Sequence, residues 1–431
     1  MSNPFRKVEL DGDKQTPFVN FEQKGSRTSL LKGDFQSPNF ATGEKGWKVN
    51  SDGQAEFTDL QVSGFIKTVS VGQSIQSAID YLNAHGGGEI RLDAGTHTLT
   101  DDITLYSGIS LVGAGQDITI LDYNDSAFGI KAGVANGASV TGASRVSNFK
   151  IKDLTVKDAN ANAGIDIDFA SLFIIENTEV NSGTGIGIRI NRSELFRLNA
   201  IDSSGHGVDG IKITSGLGSA TRNFTLDNIY SVNNVGHAIF INSVSNGIRD
   251  FSLNNCYTNG CLGDGFNIVD TSNAITHFLL TNCSSENNVN GFTINPGTTS
   301  QCHASLIGCR ANDNSADGFN ITNAVGLQML VSAFSNGGQG IELVSGNTGC
   351  SIQAVVDSNT SDGIKLTATS DEIIIHNSQI INNGAYGVNI FASDCDSNLN
   401  NGCVFDENVS GAINNSGTTT LIRSNIGVAD N

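Results

Sequence analysis

Residues 317–321 read Asp-Gly-Phe-Asn-Ile, and close copies of this segment recur along the chain from about residue 149. Further clear copies start at Asp209, Asp264, Asn290, Gln339 and Asp362. The small residue at the second position of each copy falls at Gly164, Gly187, Gly210, Ala238, Gly265, Gly291, Gly318, Gly340, Gly363, Gly387 and Gly411. Successive spacings of 22 to 28 residues indicate a solenoid, in which each repeat buries its apolar face only against its neighbours.

A column of aromatic residues recurs in step with these glycines. Its members, each opening a short run of alternating residues, are Phe149, Phe173, Phe196, Phe224, Phe251 and Phe278. Two or three such runs per repeat predict strands, whereas helical repeats would need a long apolar stripe at i, i+3 and i+4. The Leu-x-x-Leu-x-Leu frame of leucine-rich repeats is absent. The sequence therefore predicts an all-β fold, a parallel β-helix with equivalent side chains stacked about 4.8 Å apart.

The eight cysteines suit the interior of such a coil better than a disulfide framework. An inward column of small or apolar residues is predicted at Thr178, Ile201, Ile229, Cys256, Cys283, Cys309 and Ala333. Cysteine packs well as a small buried hydrophobe, and no Cys-x-x-Cys pair occurs. Cys395 and Cys403 are close enough in sequence for a loop disulfide, but buried thiols are the favoured interpretation.

Charge and composition limit the partners of this chain. The formal net charge is −19 and the pI is about 4.6, so nucleic acid and anionic membranes are disfavoured. A locally basic groove would still admit an acidic polysaccharide. No run of 18 apolar residues occurs, so we expect no membrane insertion, and the first residues lack the apolar segment of a secretory signal. We expect no cofactor; a calcium ion is left open, although no motif indicates one.

The residue pattern changes near residue 65, which predicts two regions. Residues 66–431 would form the β-helix domain, with a capping helix at about 74–84 and coils at about 89–425. The apolar face of the helix would consist of Ile75, Ala78, Ile79 and Leu82. Residues 1–65 would form an N-terminal extension, in which Asp52-Gly53 indicates a hairpin turn. Because a single hairpin is too small to be stable alone, it should pair with further strands.

Two segments resemble known families. Residues 34–64, with the string Ser-Pro-Asn-Phe and the only tryptophan, resemble a short module of bacteriophage tail proteins that often precedes a receptor-binding domain. Residues 70–80 and 86–99 resemble the entry of the pectate-lyase-like superfamily. That resemblance implies a single-stranded right-handed parallel β-helix with an N-terminal capping helix. The superfamily includes polysaccharide lyases, galacturonan hydrolases, alginate epimerases and phage tailspikes, which are usually homotrimers; fold does not distinguish among them.

In each repeat the residue after the small anchor should point inward and the next one outward. The predicted outward column consists of Asp166, Arg189, Lys212, Phe240, Asn267, Thr293, Asn320, Glu342, Lys365 and Asn389. A long face rich in amide, hydroxyl and charged groups suits a glycan, and an aromatic ring could stack on a sugar. The candidate substrate-binding residues are Arg189, Lys212, Phe240, Asn267 and Asn320. The alternative is that these are ordinary solvated positions.

Asp209, His237 and Asp264 precede the anchor in three consecutive repeats, which places the two carboxylates about 10 Å apart with an imidazole between them. We take these three as the candidate catalytic residues, because an inverting glycosidase needs carboxyl groups about 6.5–9.5 Å apart. A lyase or epimerase would instead use His237 as a base, with Lys212 or Arg189 neutralising a uronate. The alternative is a turn role, since Asp before Gly is common in turns.

Weaker catalytic candidates are Asp166, Asp168 and His206. Asp166 and Asp168 share one outward strand face, about 7 Å apart. His206 lies within a Gly-His-Gly tripeptide that copies one of the galacturonan hydrolases, but the Asn-Thr-Asp signature of those enzymes and the Asp-Pro-His of alginate epimerases are absent. Aspartate also precedes the anchor at Asp317 and Asp362, where nothing else suggests catalysis. No metal ligands are predicted.

Three functions stay open at this point. The first is a tailspike-like receptor-binding protein, on a virion or outside the cell, that recognises a bacterial surface polysaccharide and, as a depolymerase, would also cleave it. The second is a monomeric polysaccharide-modifying enzyme, either a lyase, a glycoside hydrolase or an epimerase. The third is a non-catalytic structural or adhesive β-helix. The phage-like module, the polar face and the lack of a secretory signal favour the first function.

Overall fold

The computed structural model describes residues 65–124, 129–134, 139–140, 143–159, 162–181, 183–271, 275–297, 302–396 and 398–427, together with the backbone of five short strands between residues 20 and 57. The chain forms two compact units, residues 1–63 and 64–431.

The described part of the N-terminal unit consists of antiparallel strands. Their bounds are Asn20–Gln23, Ser29–Lys32, Phe35–Gln36, Trp47–Val49 and Ala55–Phe57. The first two pair with each other, and the last three form a meander in which the central strand, Trp47–Val49, pairs with both neighbours. The strands on either side of the predicted hairpin turn are therefore paired as expected, while the turn residues Asp52 and Gly53 lie outside the described residues.

The larger unit is a right-handed parallel β-helix, which confirms the predicted fold class. One face of the coil is a parallel sheet of 13 strands among the described residues, here called sheet A. Its strands are Ile103–Leu105, Ile130–Gly133, Ala163–Asp168, Ile186–Asn191, Ile211–Thr214, Ile239–Ser243, Phe266–Asp270, Phe292–Asn295, Phe319–Ile321, Ile341–Leu343, Ile364–Leu366, Tyr386–Ile390 and Gly411–Asn415. Each strand pairs with its equivalent one repeat earlier and one repeat later.

The remaining strands of the coil form a second parallel sheet, here called sheet B, with 22 strands in the described part of the chain. They are Phe65–Val69, Gly88–Leu92, Gly95–Thr98, Ile109–Val112, Thr119–Asp122, Val146–Ser147, Lys150–Lys157, Ala170–Asn181, Glu194–Ser204, Thr221–Val232, Ile248–Asn254, Tyr257–Asn259, Ile275–Thr281, Ser284–Glu286, Ala304–Asn312, Gln328–Phe334, Ser351–Asp357, Ile374–His376, Gln379–Ile381, Leu399–Asn401, Val404–Asp406 and Leu421–Arg423.

Single residues with positive φ bend sheet B, so that it covers two sides of the coil. Asn177, Ala200 and Asn228 lie within three of its longest strands with φ of 45°, 53° and 54°. Asparagine tolerates this left-handed conformation better than most residues with a Cβ, which accounts for its frequency at the bends. The alternation of buried and exposed residues restarts after each bend, because the chain has turned toward a new side.

Stacked aromatic rings fill much of the interior. Six phenylalanines stack with centroid separations of 4.7 to 5.2 Å at Phe149, Phe173, Phe196, Phe224, Phe251 and Phe278. A second stack of Phe266, Phe292 and Phe319 has separations of 4.6 and 4.7 Å. The predicted aromatic column is thus confirmed, and its spacing equals the distance between hydrogen-bonded strands.

A column of buried asparagines, here called the asparagine ladder, runs through the turns that lead into sheet A. Its clearest members are Asn288, Asn314, Asn336, Asn359 and Asn383, each at most 2% exposed. The Oδ1 of Asn336 accepts both the backbone N–H of Asn314 (3.2 Å) and its Nδ2–H (2.9 Å), and the Nδ2 of Asn336 donates to Asn359 Oδ1 (2.9 Å). The column lets polar groups stay buried because each amide supplies the next one's partner.

Close packing against the ladder explains the glycine that anchors most of the repeats. A Cβ at Gly318 would lie 2.5 Å from the backbone oxygen of Gly340 and 2.8 Å from Asn336 Nδ2. A Cβ at Gly265 would lie 2.1 Å from Ser285 Oγ. Sheet A therefore starts so close to the ladder that only glycine fits at these positions without displacing a hydrogen-bonded neighbour.

The capping helix and the cysteines agree with the sequence predictions. Helix α1, Ile75–Ala84, begins after Ser74, whose side chain accepts the N–H of Ser77 (3.1 Å). Its buried residues are Ile75, Ala78, Ile79 and Leu82. All eight cysteines are buried free thiols, so Cys395 and Cys403 are not bridged.

One detail of the predicted register is wrong. The bulge between Ile307 and Cys309 shifts the pairing, so that Ala333 lies opposite Ala311 rather than opposite Cys309.

Among the described residues, no helix has the length and apolar character needed to cross a membrane.

The ladder predicts a strong effect of Asn336→Ala. The substitution removes the acceptor of the buried Asn314 N–H and the donor to Asn359, so we expect a loss of about 2–4 kcal/mol in unfolding free energy. Urea unfolding followed by circular dichroism measures it. The control is Asn401→Ala, because Asn401 is an exposed strand residue. For this variant we expect the unfolding free energy to change by less than about 0.5 kcal/mol. Equal midpoints for the two variants would contradict the proposed role of the ladder.

Candidate functional site

The outward side chains of sheet A form one continuous column, here called the polar strip. In order along the coil axis its members are Thr104, Lys131, Asp166, Arg189, Lys212, Phe240, Asn267, Thr293, Asn320, Glu342, Lys365, Asn389 and Asn414. The strand register places the ten predicted residues, from Asp166 to Asn389, in the expected order. All five predicted substrate-binding residues lie on this strip.

The aspartates that precede the anchor glycines have a shared structural role. Asp209 Oδ1 accepts the backbone N–H of His237 in the next coil (2.9 Å), while its Oδ2 accepts from Lys212 Nζ (3.3 Å). Asp317 likewise accepts the N–H of Gln339 (2.8 Å) and the amide of Asn320 (3.0 Å). Each carboxylate thus joins two coils and orients a side chain of the polar strip.

The structure brings the predicted trio of Asp209, His237 and Asp264 together in consecutive coils. The two aspartates are buried, at 4% and 7% exposed, whereas the His237 side chain is 27% exposed. His237 Nδ1 accepts the backbone N–H of Asp264 (2.9 Å), so in the neutral ring the proton lies on Nε2. The Nε2 atom lies 3.2 Å from Asn267 Nδ2, so both ring nitrogens face protein groups.

Asp264 is the most heavily bonded carboxylate of the trio. Its Oδ2 accepts from Asn267 Nδ2 (2.8 Å) and Thr293 Oγ1 (2.9 Å), and its Oδ1 accepts from the backbone and side-chain amides of Asn290 (both 3.0 Å). Because four protein donors occupy its two oxygens, the geometry favours a positioning role for Asp264. A catalytic role for the trio stays a prediction.

Lys212, Phe240 and His237 form a partly exposed cluster in the lower half of the strip. Lys212 Nζ lies 4.7 Å from the centroid of the Phe240 ring, and the His237 ring is 4.9 Å from it with the planes tilted by 48°. An ammonium over an aromatic face is an attractive arrangement. The cluster therefore presents an apolar ring, an ammonium and an imidazole ring side by side.

Asp166 and Asp168, the weaker acidic candidates, each form an ion pair with an arginine. Arg189 donates to both oxygens of Asp166, from Nε at 2.9 Å and from the adjacent Nη2. Arg192 makes a similar two-pronged contact with Asp168, at 2.7 and 2.6 Å, and both partners are buried. Bidentate guanidinium pairs of this kind fix geometry and leave little capacity for substrate.

His206 lies inside the coil rather than on the polar strip. His206 is 1% exposed. Its ring Nε2 bonds to the backbone oxygen of Val180 (3.0 Å), and its backbone N–H donates to Asn234 Oδ1 (3.0 Å). Burial lowers the pKa of His206 to about 4. His206 occupies a ladder position that asparagine holds in later coils. The glycines on either side of it therefore reflect close packing against the ladder, and its side chain lies away from any surface substrate.

Sequence reasoning missed a cluster in the upper half of the strip. Glu342 bonds to Lys365 Nζ (3.1 Å) and approaches Asn320 Nδ2 (3.5 Å), which also donates to Asp317. Burial raises the pKa of Glu342, and the negative charge of Asp317 adds to the effect despite Lys365. The sequence placed Glu342 in the outward column, but only the structure shows its partial burial beside a second carboxylate.

A second missed cluster lies on sheet B. Glu179 and Asp202 are register partners in consecutive coils, and the next two positions of the same column are Tyr230 and Tyr257. The tyrosine rings stack at 5.3 Å, and Tyr230 is 46% exposed. This pairing could have been found by extending the strand register across sheet B, which requires the positions of the bends.

The two carboxylates of this cluster have unlike surroundings. Glu179 accepts hydrogen bonds from Thr155 Oγ1 (3.0 Å) and Asn181 Nδ2 (2.7 Å). Asp202 Oδ1 is buried without a hydrogen-bond partner among the described residues. Burial, reinforced by the charge of Glu179, raises the pKa of Asp202 to about 6. Asp202 therefore gives up its proton less readily than an ordinary aspartate.

Comparison with known proteins supports the fold. Residues 70–291 match the sequence profile of a family described as rhamnogalacturonase A/epimerase, pectate lyase-like. No curated protein matches the sequence. Pre-mature gene product 12 of bacteriophage phi29 has a TM-score of 0.66 at 17% identity, over 83% of this chain and 54% of that one.

Two further solved structures share the coil. Tailspike protein 3 of bacteriophage CBA120 has a TM-score of 0.60 at 12% identity, over 93% of this chain and 66% of that one. The A-module of a mannuronan C-5 epimerase from Azotobacter vinelandii has a TM-score of 0.59 at 19% identity, over 83% of this chain and 95% of that one. At these identities the likeness concerns the fold.

The raised pKa of Asp202 predicts that Asp202→Asn stabilises the protein in a pH-dependent way. Between about pH 4 and 6 the folded protein binds more protons at this site than the unfolded chain, so folding stability falls as pH rises through that window. We expect the variant to melt about 2 °C above the wild type at pH 7.5 and to match it at pH 4.

Thermal unfolding at the two pH values checks this expectation. Asp227→Asn serves as the control, because Asp227 on sheet B accepts hydrogen bonds from Arg197 (2.9 Å) and Asn254 (2.7 Å). Removing its charge should not raise the melting temperature. A melting temperature of the Asp202 variant that is equal to or below that of the wild type at pH 7.5 would contradict the raised pKa.

Proposed function

The chain belongs to the rhamnogalacturonase A/epimerase family of pectate-lyase-like proteins, and we propose that it is a tailspike-like receptor-binding protein that binds a bacterial surface polysaccharide along the polar strip. The observation that carries the proposal is the line of outward amide, hydroxyl and charged side chains on sheet A, which includes one aromatic ring at Phe240. Glycans offer hydroxyl groups to such polar atoms and C–H faces to such a ring.

The strip is rigid before any ligand arrives, which supports binding. Asp209 holds Lys212, and Asp264 holds Asn267 and Thr293, through hydrogen bonds of 2.8 to 3.3 Å. Side chains that are already ordered lose little conformational entropy on binding. In this proposal the trio identified from the sequence acts mainly by positioning the groups that touch the glycan.

Other features add support. The fold neighbours include an epimerase named for mannuronan and a phage tailspike. The resemblance of residues 34–64 to phage tail modules favours a virion or extracellular location and, by analogy with tailspikes, a homotrimer. The described residues contain no group of three or more His, Cys, Asp or Glu side chains arranged for a metal ion, and the proposal requires none.

Binding is tested with a panel of purified capsular and lipopolysaccharide glycans. We expect the full chain to bind at least one of them and Phe240→Ala to weaken that binding fivefold or more, because truncating a contact residue at the centre of an interface typically costs above 1 kcal/mol. Affinity electrophoresis or calorimetry gives the dissociation constants.

A matched control is Phe334→Ala, which removes a half-buried ring from sheet B beside Arg310. This variant should bind like the wild type. The proposed surface is wrong if both variants bind equally well, and the proposed function is wrong if the wild type binds no glycan of the panel.

The Glu179–Asp202 pair favours a second candidate function, glycoside hydrolysis. Consecutive coils place the two residues about 4.8 Å apart by Cα, close to the carboxyl separation of about 5–5.5 Å in retaining glycosidases. Asp202 would give its proton to the glycosidic oxygen as the C–O bond breaks, while Glu179 attacks the anomeric carbon. Water, deprotonated by Asp202, then releases the sugar from Glu179. Tyr230, directly beside Asp202 in the column, could support a sugar ring.

Hydrolysis is tested by measuring reducing ends released from the glycan that the protein binds. We expect Asp202→Asn and Glu179→Gln each to lower the rate at least 100-fold, because removal of a catalytic carboxylate abolishes acid or nucleophilic catalysis. Asp227→Asn should leave the rate unchanged. If Asp209→Asn and Asp264→Asn abolish the activity and the sheet B variants do not, the trio predicted from the sequence is the catalytic site instead.

A further inference from the structure

Phe391 is a strongly exposed aromatic residue at the edge of the polar strip. It follows the sheet A strand Tyr386–Ile390 and is 63% exposed, more than any other aromatic side chain in the described part of the chain. Its backbone N–H donates to Leu366 (2.9 Å), which keeps it in register with the coil below. The ring is therefore presented to solvent from a rigid strand end rather than from a loose loop.

Polar groups lie directly beside this ring. Lys365 Nζ is 5.8 Å from the Phe391 centroid and 3.1 Å from Glu342 Oε1. Glu342 Oε2 in turn lies 3.5 Å from Asn320 Nδ2, which is held by Asp317. The exposed ring thus adjoins an ammonium, and a carboxyl and an amide oriented by the protein follow one and two coils further along the strip.

We propose that Phe391, Lys365, Glu342 and Asn320 form a distinct subsite that recognises two adjacent uncharged pyranose units of the bound polysaccharide. The C–H face of one unit stacks on the Phe391 ring beside the ammonium, and hydroxyl groups of the next unit bond to the carboxyl and the amide. The inference rests on the proposed polysaccharide-binding function and specifies one part of that surface. These residues lie outside the segment, 70–291, that matches the family profile.

Charge determines which sugar suits the subsite. One cation, Lys365, faces two carboxyl groups, Glu342 and Asp317, and Lys365 is already paired with Glu342. Asp362 adds a further carboxylate next to Asn389 in the adjoining coil (2.9 Å). A uronate would meet more negative than positive charge here, whereas neutral hydroxyls find both donors and acceptors.

The subsite lies so far from Phe240 that only a polymeric glycan can contact both at once. Five coil steps separate Phe240 from Lys365 along the strip, which corresponds to about 24 Å. A glycan chain that contacts both aromatic residues gains affinity from two linked sites, while a disaccharide can occupy only one. The full polysaccharide should therefore be the stronger ligand.

The experiment uses the full chain and the polysaccharides of the binding panel, divided into uncharged and uronate-containing glycans. We expect the wild type to bind an uncharged glycan, Phe391→Ala to weaken that binding at least fivefold, and Phe391→Trp to restore it to within twofold. Tyr81→Ala, which removes another exposed ring on helix α1, controls for loss of aromatic surface and should bind like the wild type.

The outcomes separate the inference from the function on which it rests. Unchanged binding by Phe391→Ala overturns the subsite and leaves the proposed function intact. Binding by the wild type to uronate-containing glycans alone overturns the preference for an uncharged sugar and hence the subsite as proposed. A wild type that binds no polysaccharide overturns the proposed function and the subsite together. Because Phe391 is exposed, thermal unfolding should confirm that Phe391→Ala folds normally.

Discussion

Backbone hydrogen bonds between consecutive coils are the constraint from which the rest of this structure follows. They hold each strand about 4.8 Å from its equivalent in the next repeat, so like residues must tolerate being stacked on one another. The ring separations of 4.6 to 5.2 Å in the two phenylalanine stacks are this same distance expressed in side chains. Any residue type that cannot stack with itself is confined to the turns or to the outer surface.

Polar and charged groups meet this constraint by pairing along the coil axis. Inside, each asparagine of the ladder supplies the partner of the next. Outside, unlike charges are neighbours at Asp166–Arg189 and at Glu342–Lys365. Glu179 and Asp202 break the pattern, because they place like charges in adjacent coils at a cost that appears in the raised pKa of Asp202. Such local departures are where function is commonly found.

The repeat pattern made much of the fold and part of the site predictable. Inward and outward positions follow from a period-two alternation within a period of 22 to 28 residues, so the phenylalanine stack, helix α1 and the order of the polar strip could be inferred. The ladder could not, because asparagine is equally common in exposed turns. For the same reason His206 was a catalytic candidate, although it occupies a ladder position.

Period and alternation are local properties of the chain, and they were sufficient to establish which side chains stack and which face of the coil is polar. The availability of a functional group is not local. Both oxygens of Asp264 are bonded, the pKa of Asp202 is raised, and Phe391 is open to solvent. These properties depend on partners one coil away and on the depth of burial, which arise only when the coils are stacked, because desolvation and hydrogen bonding act through space rather than along the sequence.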